Sequence, residues 1–191
     1  MGTVYRARQV ALDKIVALKV LNQELRDDPE FVMRFHTEAR AASRLDHPHS
    51  TRVLDFGEEP DGLLYIAMEL LEGRTLAELI EREFPLAPAR VASIASQALS
   101  AVGAAHGLGV LHRDLKPENI VVLEGRDDED RAIDVVKVCD FGIAKLDGAP
   151  DHAGDGERAT LLASDGARKA TRAGVVVGTP QYMSPEQARG E

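Results

Sequence analysis

The sequence predicts an α+β fold of two lobes, in which a small antiparallel β-sheet with one helix precedes a mainly helical part. Two β-prone stretches, a helical pattern and two further β-prone stretches lie one after another before residue 72. A long alanine-rich pattern with helical spacing of its apolar residues follows at residues 88–108. The 191 residues, 44% of them hydrophobic, suffice for a folded core. We therefore predict one unit, with lobes at residues 1–72 and 73–191.

The first lobe is predicted from β-prone stretches that polar turns separate. A turn around Asp13 joins the first two stretches, so a hairpin is their simplest arrangement. Pro29 opens the helical pattern, which ends near Pro48 because a proline disfavours helix at the preceding residue. The four predicted strands are Thr3–Arg8, Ile15–Leu21, Thr51–Phe56 and Leu63–Leu70.

The second lobe is predicted to begin with helices and to end in shorter elements. Its two predicted helices are Thr75–Arg82 and Pro88–Leu108. Two apolar stretches, Ile120–Leu123 and Val135–Val138, flank an acidic loop at Glu124–Asp134. Residues 147–173 are rich in Gly, Ala, Asp, Arg and Thr and show no sustained period, which predicts a mobile loop.

Composition excludes several classes of function. A net charge of −9 argues against general nucleic-acid binding and against a polybasic membrane anchor. The single cysteine, Cys139, excludes an internal disulfide and a zinc site built from cysteines alone. The apolar stretches are too short to cross a bilayer. These features favour the cytoplasm, with any membrane anchor of a parent protein lying outside this segment.

The string H-R-D-L-K-P-E-N at residues 112–119 is the most informative part of the sequence. It places an aspartate, a lysine and an asparagine on one short loop. The string resembles the catalytic loop of protein kinases, specifically the eukaryotic-like serine/threonine kinases of bacteria. The resemblance implies that Asp114 is the base, that Lys116 contacts the phosphoryl group and that Asn119 is a Mg²⁺ ligand.

The tripeptide Asp-Phe-Gly occurs twice, and position distinguishes the two copies. The copy at residues 140–142 follows a predicted strand and the catalytic loop, so it resembles the family's metal-binding motif. By this resemblance Asp140 binds Mg²⁺ between the phosphates. The copy at residues 55–57 precedes the catalytic loop and leads into a hairpin turn, so we interpret it as the end of a strand.

The strand Val16-Ala17-Leu18-Lys19 resembles the family's V-A-I-K strand. The resemblance implies that Lys19 binds the α- and β-phosphates and that Ala17 lies against the adenine. Glu38, in the predicted first helix, stands where the family has the glutamate that pairs with this lysine. We therefore expect a Lys19–Glu38 ion pair that fixes the ammonium at the phosphates.

The family's Gly-rich loop is represented only by its last glycine and its valine, Gly2 and Val4, which the resemblance assigns to nucleotide binding. The first two glycines are missing, and Gly2 alone cannot form a lid over phosphates. We therefore expect Met1 to be an internal residue of a longer chain.

Residues 178–186, G-T-P-Q-Y-M-S-P-E, resemble the end of the family's activation segment, with S-P-E in place of A-P-E. Thr179 together with Lys116 is the serine/threonine-type signature, and in the family such a threonine bonds to the catalytic aspartate and lysine. The resemblance makes Arg113 part of a basic pocket for a phosphorylated loop. We expect the phosphate on Thr171, eight residues before Thr179 and beside basic residues.

The adenine site is expected at the end of the fourth strand. By position, the resemblance makes Met68 the gatekeeper residue and assigns adenine hydrogen bonds to the backbone groups of Glu69 and Leu71. Val121, two residues after Asn119, would form the floor under the adenine.

The resemblance implies an ATP- and Mg²⁺-dependent protein serine/threonine kinase that acts in signal transduction on protein substrates. Dimerisation for autophosphorylation is a further implication. Two alternatives remain open: a nucleotide-binding pseudokinase scaffold, and a small-molecule phosphotransferase, a class that shares the H-x-D-x-x-x-x-N loop but lacks the later motifs. We expect the 191 residues by themselves to be unstable and close to inactive, because apolar surface of the helical lobe would stay uncovered.

Overall fold

The computed structural model describes residues 2–10, 13–22, 28–141 and 179–189. The first lobe holds an antiparallel four-stranded sheet in the order β1-β2-β4-β3, crossed by one helix, α1. All four predicted strands are confirmed, with ends that differ by at most two residues. Its elements are β1 (Thr3–Gln9), β2 (Lys14–Val20), α1 (Pro29–Ala42), β3 (Val53–Glu58) and β4 (Leu64–Glu69).

Helix α1 begins where the sequence predicts and ends earlier than predicted. The Asp28 carboxylate accepts hydrogen bonds from the amides of Glu30 at 2.9 Å and Phe31 at 3.3 Å, which caps the first turn. The apolar face of the helix packs against the sheet, and Phe35 on this face is fully buried. Ser43 terminates the helix, so the turn before Pro48 is not helical.

The second lobe combines two helices with a three-stranded antiparallel sheet in the order β5-β6-β7. Both predicted helices are confirmed. The short helix begins with a capping box, in which Thr75 and Glu78 satisfy each other's backbone amides. The pair Arg74–Thr75 forms a strand of two residues that the sequence did not predict, because two residues show no period. The elements are β5 (Arg74–Thr75), α2 (Leu76–Glu83), α3 (Pro88–Gly107), β6 (Ile120–Arg126) and β7 (Ala132–Val138).

The acidic segment Glu124–Asp134 is mostly strand, so its prediction as a loop is wrong. Strand β6 continues to Arg126 and β7 starts at Ala132, which leaves a turn of only five residues. In this turn the Asp127 carboxylate accepts hydrogen bonds from the amides of Glu129 and Arg131 at 3.0 and 2.9 Å. These bonds, with the Arg131 guanidinium, lower the pKa of Asp127. Local capping thus stabilises a longer hairpin than strand propensity predicts.

Helix α3 is joined to the hairpin by a polar cluster on one side. Arg90 donates to both oxygens of Asp134, at 2.6 and 3.0 Å, and to Glu83 at 2.6 Å. Two turns further along the helix, the Gln97 side chain donates to the Asp134 carbonyl at 3.1 Å and accepts from the Val136 amide at 3.0 Å. The hairpin that leads to residue 140 is therefore held against α3 at two levels.

A backbone seam joins the two lobes. The Val138 amide donates to the His49 carbonyl at 2.8 Å, and the Thr51 amide donates to the Val138 carbonyl at 2.9 Å. Ser50 forms an isolated parallel bridge with Val138. Segment 49–51, between α1 and β3, is thereby attached to the last strand of the second lobe.

An apolar groove lies open between α2 and α3. Phe84, Val91 and Leu99 line it and are 78%, 48% and 65% exposed. Leu115 and Ile120 close the groove toward the catalytic loop. Within the described ranges, none of the helices combines the length and the apolar character that crossing a bilayer requires. The predicted loop at 147–173 lies outside the described residues.

We expect the isolated 191-residue chain to bind the dye ANS and to aggregate, because the groove exposes large apolar side chains to water. Leu99→Gln should lower ANS fluorescence and the aggregated fraction, each by roughly a third. Leu54→Gln, a change of an equally apolar side chain on β3, should leave both unchanged. Dye fluorescence and sedimentation measure the two quantities. A cooperative melting transition without ANS binding would contradict this expectation.

Candidate active site

The loop at residues 112–119 follows α3, and the contacts that the sequence predicts among Asp114, Lys116 and Thr179 are present. The Lys116 ammonium lies 3.2 Å from the Asp114 carboxylate and donates to the Thr179 hydroxyl at 3.1 Å. The Thr179 hydroxyl donates to the other Asp114 oxygen at 3.2 Å. Each member of this triangle thus contacts the other two, although 65 residues separate Asp114 from Thr179.

The buried His112 ring positions the start of this loop through hydrogen bonds at both of its nitrogens. It is 5% exposed, and its Nδ1 accepts a hydrogen bond from the Asp114 amide at 3.3 Å. Its Nε2 therefore carries the proton and donates to the Cys139 carbonyl at 2.9 Å. Burial lowers the pKa of His112, which favours this neutral form. The ring also packs on Phe141, at a centroid distance of 5.0 Å, so one side chain positions both loops of the site.

The hydrogen bonds of Asn119 leave its side-chain oxygen available to a hard metal ion. Its side-chain NH₂ donates to the Asp114 carbonyl at 2.8 Å, which commits the nitrogen and leaves the amide oxygen as the available ligand atom. Its own carbonyl accepts from the Cys139 amide at 2.8 Å, which ties it to the segment that carries Asp140. Oxygen donors from an amide and a carboxylate are those Mg²⁺ prefers, so these residues fit the ion.

Lys19 and Asp140 form an ion pair across the two lobes. Lys19, on β2, is only 5% exposed, and its ammonium lies 2.8 Å from the Asp140 carboxylate. Asp140 has a φ of 59°, in the left-handed region that non-glycine residues seldom adopt. Such strain is typical of functional sites. The predicted phosphate lysine and the predicted metal ligand are therefore in direct contact.

The expected Lys19–Glu38 ion pair is wrong for this structure. Glu38 pairs instead with Arg113, whose guanidinium lies 2.7 Å from one carboxylate oxygen. The other oxygen of Glu38 is buried and has no hydrogen-bond partner among the described residues. Lys19 thus pairs with Asp140, and Glu38 pairs with Arg113. Motif positions identify the four charged groups but do not determine how they pair.

The second Asp-Phe-Gly string lies in β3, as the sequence predicts. The Asp55 carboxylate accepts from the neighbouring Phe56 amide at 2.9 Å and from the Tyr65 hydroxyl at 3.4 Å. Burial, and then the nearby Asp55 charge, raise the pKa of Tyr65. These contacts belong to the outer edge of the first sheet, because β3 is its edge strand.

The predicted adenine and phosphate residues share one face of the first sheet. Lys19 lies directly opposite Val4 on β1, and Ala17 lies directly opposite Met68 on β4. Directly opposed residues in an antiparallel pair, and residues two apart in one strand, point to the same face. Gly2 approaches β2 so closely that a Cβ atom would lie 2.3 Å from the Val20 carbonyl oxygen. Gly2 is therefore required by packing as well.

Sequence reasoning missed two contacts beside the site. Thr51 donates its hydroxyl to the Cys139 sulfur at 3.0 Å, and burial raises the pKa of Cys139 to about 11. Lys137 contacts the predicted hinge residue Glu69 at 2.9 Å. A lysine between buried valines is a signal for such a contact, but its partner is distant in sequence. Thr171 and the glycines at 142 and 178 lie outside the described residues.

Comparisons with known proteins agree with this geometry. A family model described as the protein kinase domain matches residues 1–191. The serine/threonine-protein kinase pkn3 of Myxococcus xanthus is 54% identical over 190 residues, which is 100% of this chain and 31% of that protein. The serine/threonine-protein kinase PknB of Mycolicibacterium smegmatis is 40% identical and is matched over 27% of its length. The chain thus spans about a third of the curated relatives it matches.

Solved structures share the fold. The crystal structure of the Mycobacterium tuberculosis PknI kinase domain superposes with a TM-score of 0.63 at 36% identity, over 75% of this chain and 56% of that one. The predicted fold class is therefore confirmed for the part that the chain spans. With the family model matched along the whole sequence, the chain belongs to the protein kinase family.

Proposed function

We propose that the protein carrying this chain transfers the γ-phosphoryl group of ATP to serine and threonine hydroxyls of proteins. The observation that carries the proposal is the triangle of Asp114, Lys116 and Thr179. It joins a carboxylate that can take a proton, a cation and a hydroxyl at one point. We place the lobe boundary at residues 72 and 73, and the setting in the cytoplasm.

In the proposed reaction, an acceptor hydroxyl oxygen forms a bond to the γ-phosphorus while the bond to the ADP oxygen breaks. The hydroxyl proton goes to the Asp114 carboxylate, which is why this residue must be ionised beforehand. Lys116 lies beside Asp114 and offsets negative charge on the transferring group. The Thr179 hydroxyl bonds to both side chains and thereby fixes their relative position. Thr179 thus acts as the substrate-positioning residue.

Lys19, Asn119 and Asp140 are the residues that would hold the triphosphate and Mg²⁺. When bound, the ion supplies positive charge that neutralises the phosphate oxygens. Asn119 offers its amide oxygen, because its nitrogen is committed to the Asp114 carbonyl. The Lys19 ammonium is desolvated and already positioned by Asp140, so it loses little side-chain freedom on meeting a phosphate.

The adenine is proposed to lie between the two lobes. Backbone groups of Glu69 and Leu71 would bind its edge, and the expected packing surfaces come from both sheets. The side chains proposed to pack on the nucleotide or flank it are those of Val4, Ala17, Met68 and Val121, with the Gly2 backbone near the phosphates. The shared face of the first sheet supports this grouping.

Glu38 and Arg113 are proposed to regulate the site. In this structure Glu38 pairs with Arg113 and Lys19 pairs with Asp140, so support of Lys19 by Glu38 would require both ion pairs to rearrange. A phosphate on Thr171 would compete with Glu38 for Arg113, because it carries roughly −1.5 to −2 charges. Dimerisation would supply that phosphate by autophosphorylation.

Lys19→Met should abolish phosphoryl transfer by the full-length protein that carries this chain. The side chain is buried, and methionine fills similar space without the charge. We expect a loss of at least about 100-fold in kcat/KM, which corresponds to roughly 2.7 kcal/mol of transition-state stabilisation. Transfer to a generic protein acceptor measures the loss. Parental activity in the variant would contradict the assignment, and nucleotide binding without transfer by the parent would favour a pseudokinase.

Asp140→Asn should remove Mg²⁺-dependent transfer, and Asp55→Asn is its matched control. Both changes neutralise the aspartate of an Asp-Phe-Gly string, but Asp55 bonds only to neighbours on the outer sheet edge. We expect a loss of at least about 100-fold for the first and less than about twofold for the second. Rates measured across a magnesium titration test this. Equal losses would contradict the choice between the strings.

Thr171→Ala should keep the full-length protein in its low-activity state. The expected loss is about tenfold or more, since the phosphate that competes for Arg113 can no longer form. Mass spectrometry of the active parent should locate the phosphate on Thr171. Thr160→Ala and Ser164→Ala are the controls and should retain activity. Full activity of Thr171→Ala, or phosphate only at the control positions, would refute the mechanism.

A further inference from the structure

Lys137 lies on β7 with its side chain directed away from the core of the second lobe. Its neighbours Val136 and Val138 are both fully buried, so alternation along the strand turns Lys137 to the opposite face. Cys139 shares that face, and the residue directly opposite on β6 is Val121, the proposed adenine floor. Lys137 therefore lies on the surface of the hairpin that carries the floor.

The Lys137 ammonium bonds to the other lobe. It donates to the Glu69 carboxylate at 2.9 Å and to the Ser50 carbonyl at 3.1 Å. The same Glu69 oxygen accepts from the Arg52 amide at 2.8 Å, and the Glu69 amide donates to the Arg52 carbonyl at 3.0 Å. We call these four residues, Ser50, Arg52, Glu69 and Lys137, the hinge knot.

The hinge knot lies beside the backbone seam, and its ion pair is partly shielded from water. The backbone seam at Val138 already attaches segment 49–51 to β7, next to the Lys137 ammonium. The Lys137 side chain is 17% exposed and that of Glu69 is 32% exposed. A pair that is this shielded is less screened by water and salt than a surface pair. Removal of the ammonium would leave the Glu69 carboxylate held only by the Arg52 amide.

We propose that Lys137 is a positioning residue for adenine binding. It joins Glu69, whose backbone is the proposed adenine contact, to the β6–β7 hairpin. That hairpin also carries Val121, the proposed adenine floor. This side-chain contact adds to the backbone seam, so the two surfaces that would enclose the base are joined at two points. This inference rests on the proposed function and adds a residue that touches neither the nucleotide nor the reacting atoms.

Lys137→Met in the full-length protein tests the inference. We expect the KM for ATP and the dissociation constant for adenosine each to rise about tenfold, because the hinge is no longer preorganised. The kcat should stay within about twofold, and the affinity for inorganic tripolyphosphate should not change, because the phosphate residues are untouched. Lys14→Met, a change of an exposed lysine on β2, is the matched control and should leave all four quantities unchanged. Lys137→Arg should recover most of the adenosine affinity.

If Lys137→Met does not fold, Glu69→Gln provides a second test of the positioning role. It keeps an acceptor for the Arg52 amide but removes the ion pair, so adenosine affinity should fall about threefold. Unchanged adenosine affinity in the folded variants would overturn the inference. So would a higher kcat at unchanged KM, which would make the knot a restraint on lobe movement. If the parent itself binds neither adenosine nor ATP, the proposed function fails; if the parent binds and the variants do not differ, only the positioning role fails.

Discussion

The backbone seam between His49, Thr51 and Val138 is the constraint on which the site depends. It links two lobes that have separate small cores, one beneath α1 and one between α3 and the β6–β7 hairpin. Asp140 stands only two residues beyond Val138. The position of the seam therefore determines how close the second lobe's carboxylate comes to Lys19 of the first lobe. Backbone bonds suit this task, because they fix distance without adding charge to a crowded region.

Inside the site, the ammonium groups lie close to carboxylates of opposite charge. Moving an ammonium or a carboxylate out of water costs several kcal/mol per ion unless a partner and hydrogen bonds offset it. Lys19 is nearly buried and has Asp140; Lys116 has Asp114 and the Thr179 hydroxyl. His112 avoids the cost by staying neutral. Glu38 alone keeps a buried oxygen without a partner in the described part of the chain, which marks it as the group with most to gain from rearrangement.

Sequence alone predicted the elements and most of the site, for reasons that are physical. The strands and helices follow from local patterns, and Asp114, Lys116 and Thr179 follow from motifs whose order the fold preserves. The partner of Glu38 could not be predicted, since Arg113 lies 75 positions away in the chain and no local pattern joins the two. The extension of the hairpin strands into Glu124–Asp134 was missed because these residues have poor strand propensity and gain their stability from capping and from Arg90. Lys137 lies 68 positions from Glu69 in the chain, and no local pattern joins them.

The environment of Cys139 has a consequence for chemical reactivity. Only the thiolate attacks electrophiles or oxidants, and a pKa of about 11 leaves roughly one molecule in 10⁴ in that form at pH 7. The ordinary value of 9.0 would give roughly one in 100. The chain's single thiol is thus beside the proposed nucleotide site and yet chemically quiet. An alkylating inhibitor aimed at this position would depend on its reversible affinity and residence time, and mild oxidative stress would leave the residue reduced.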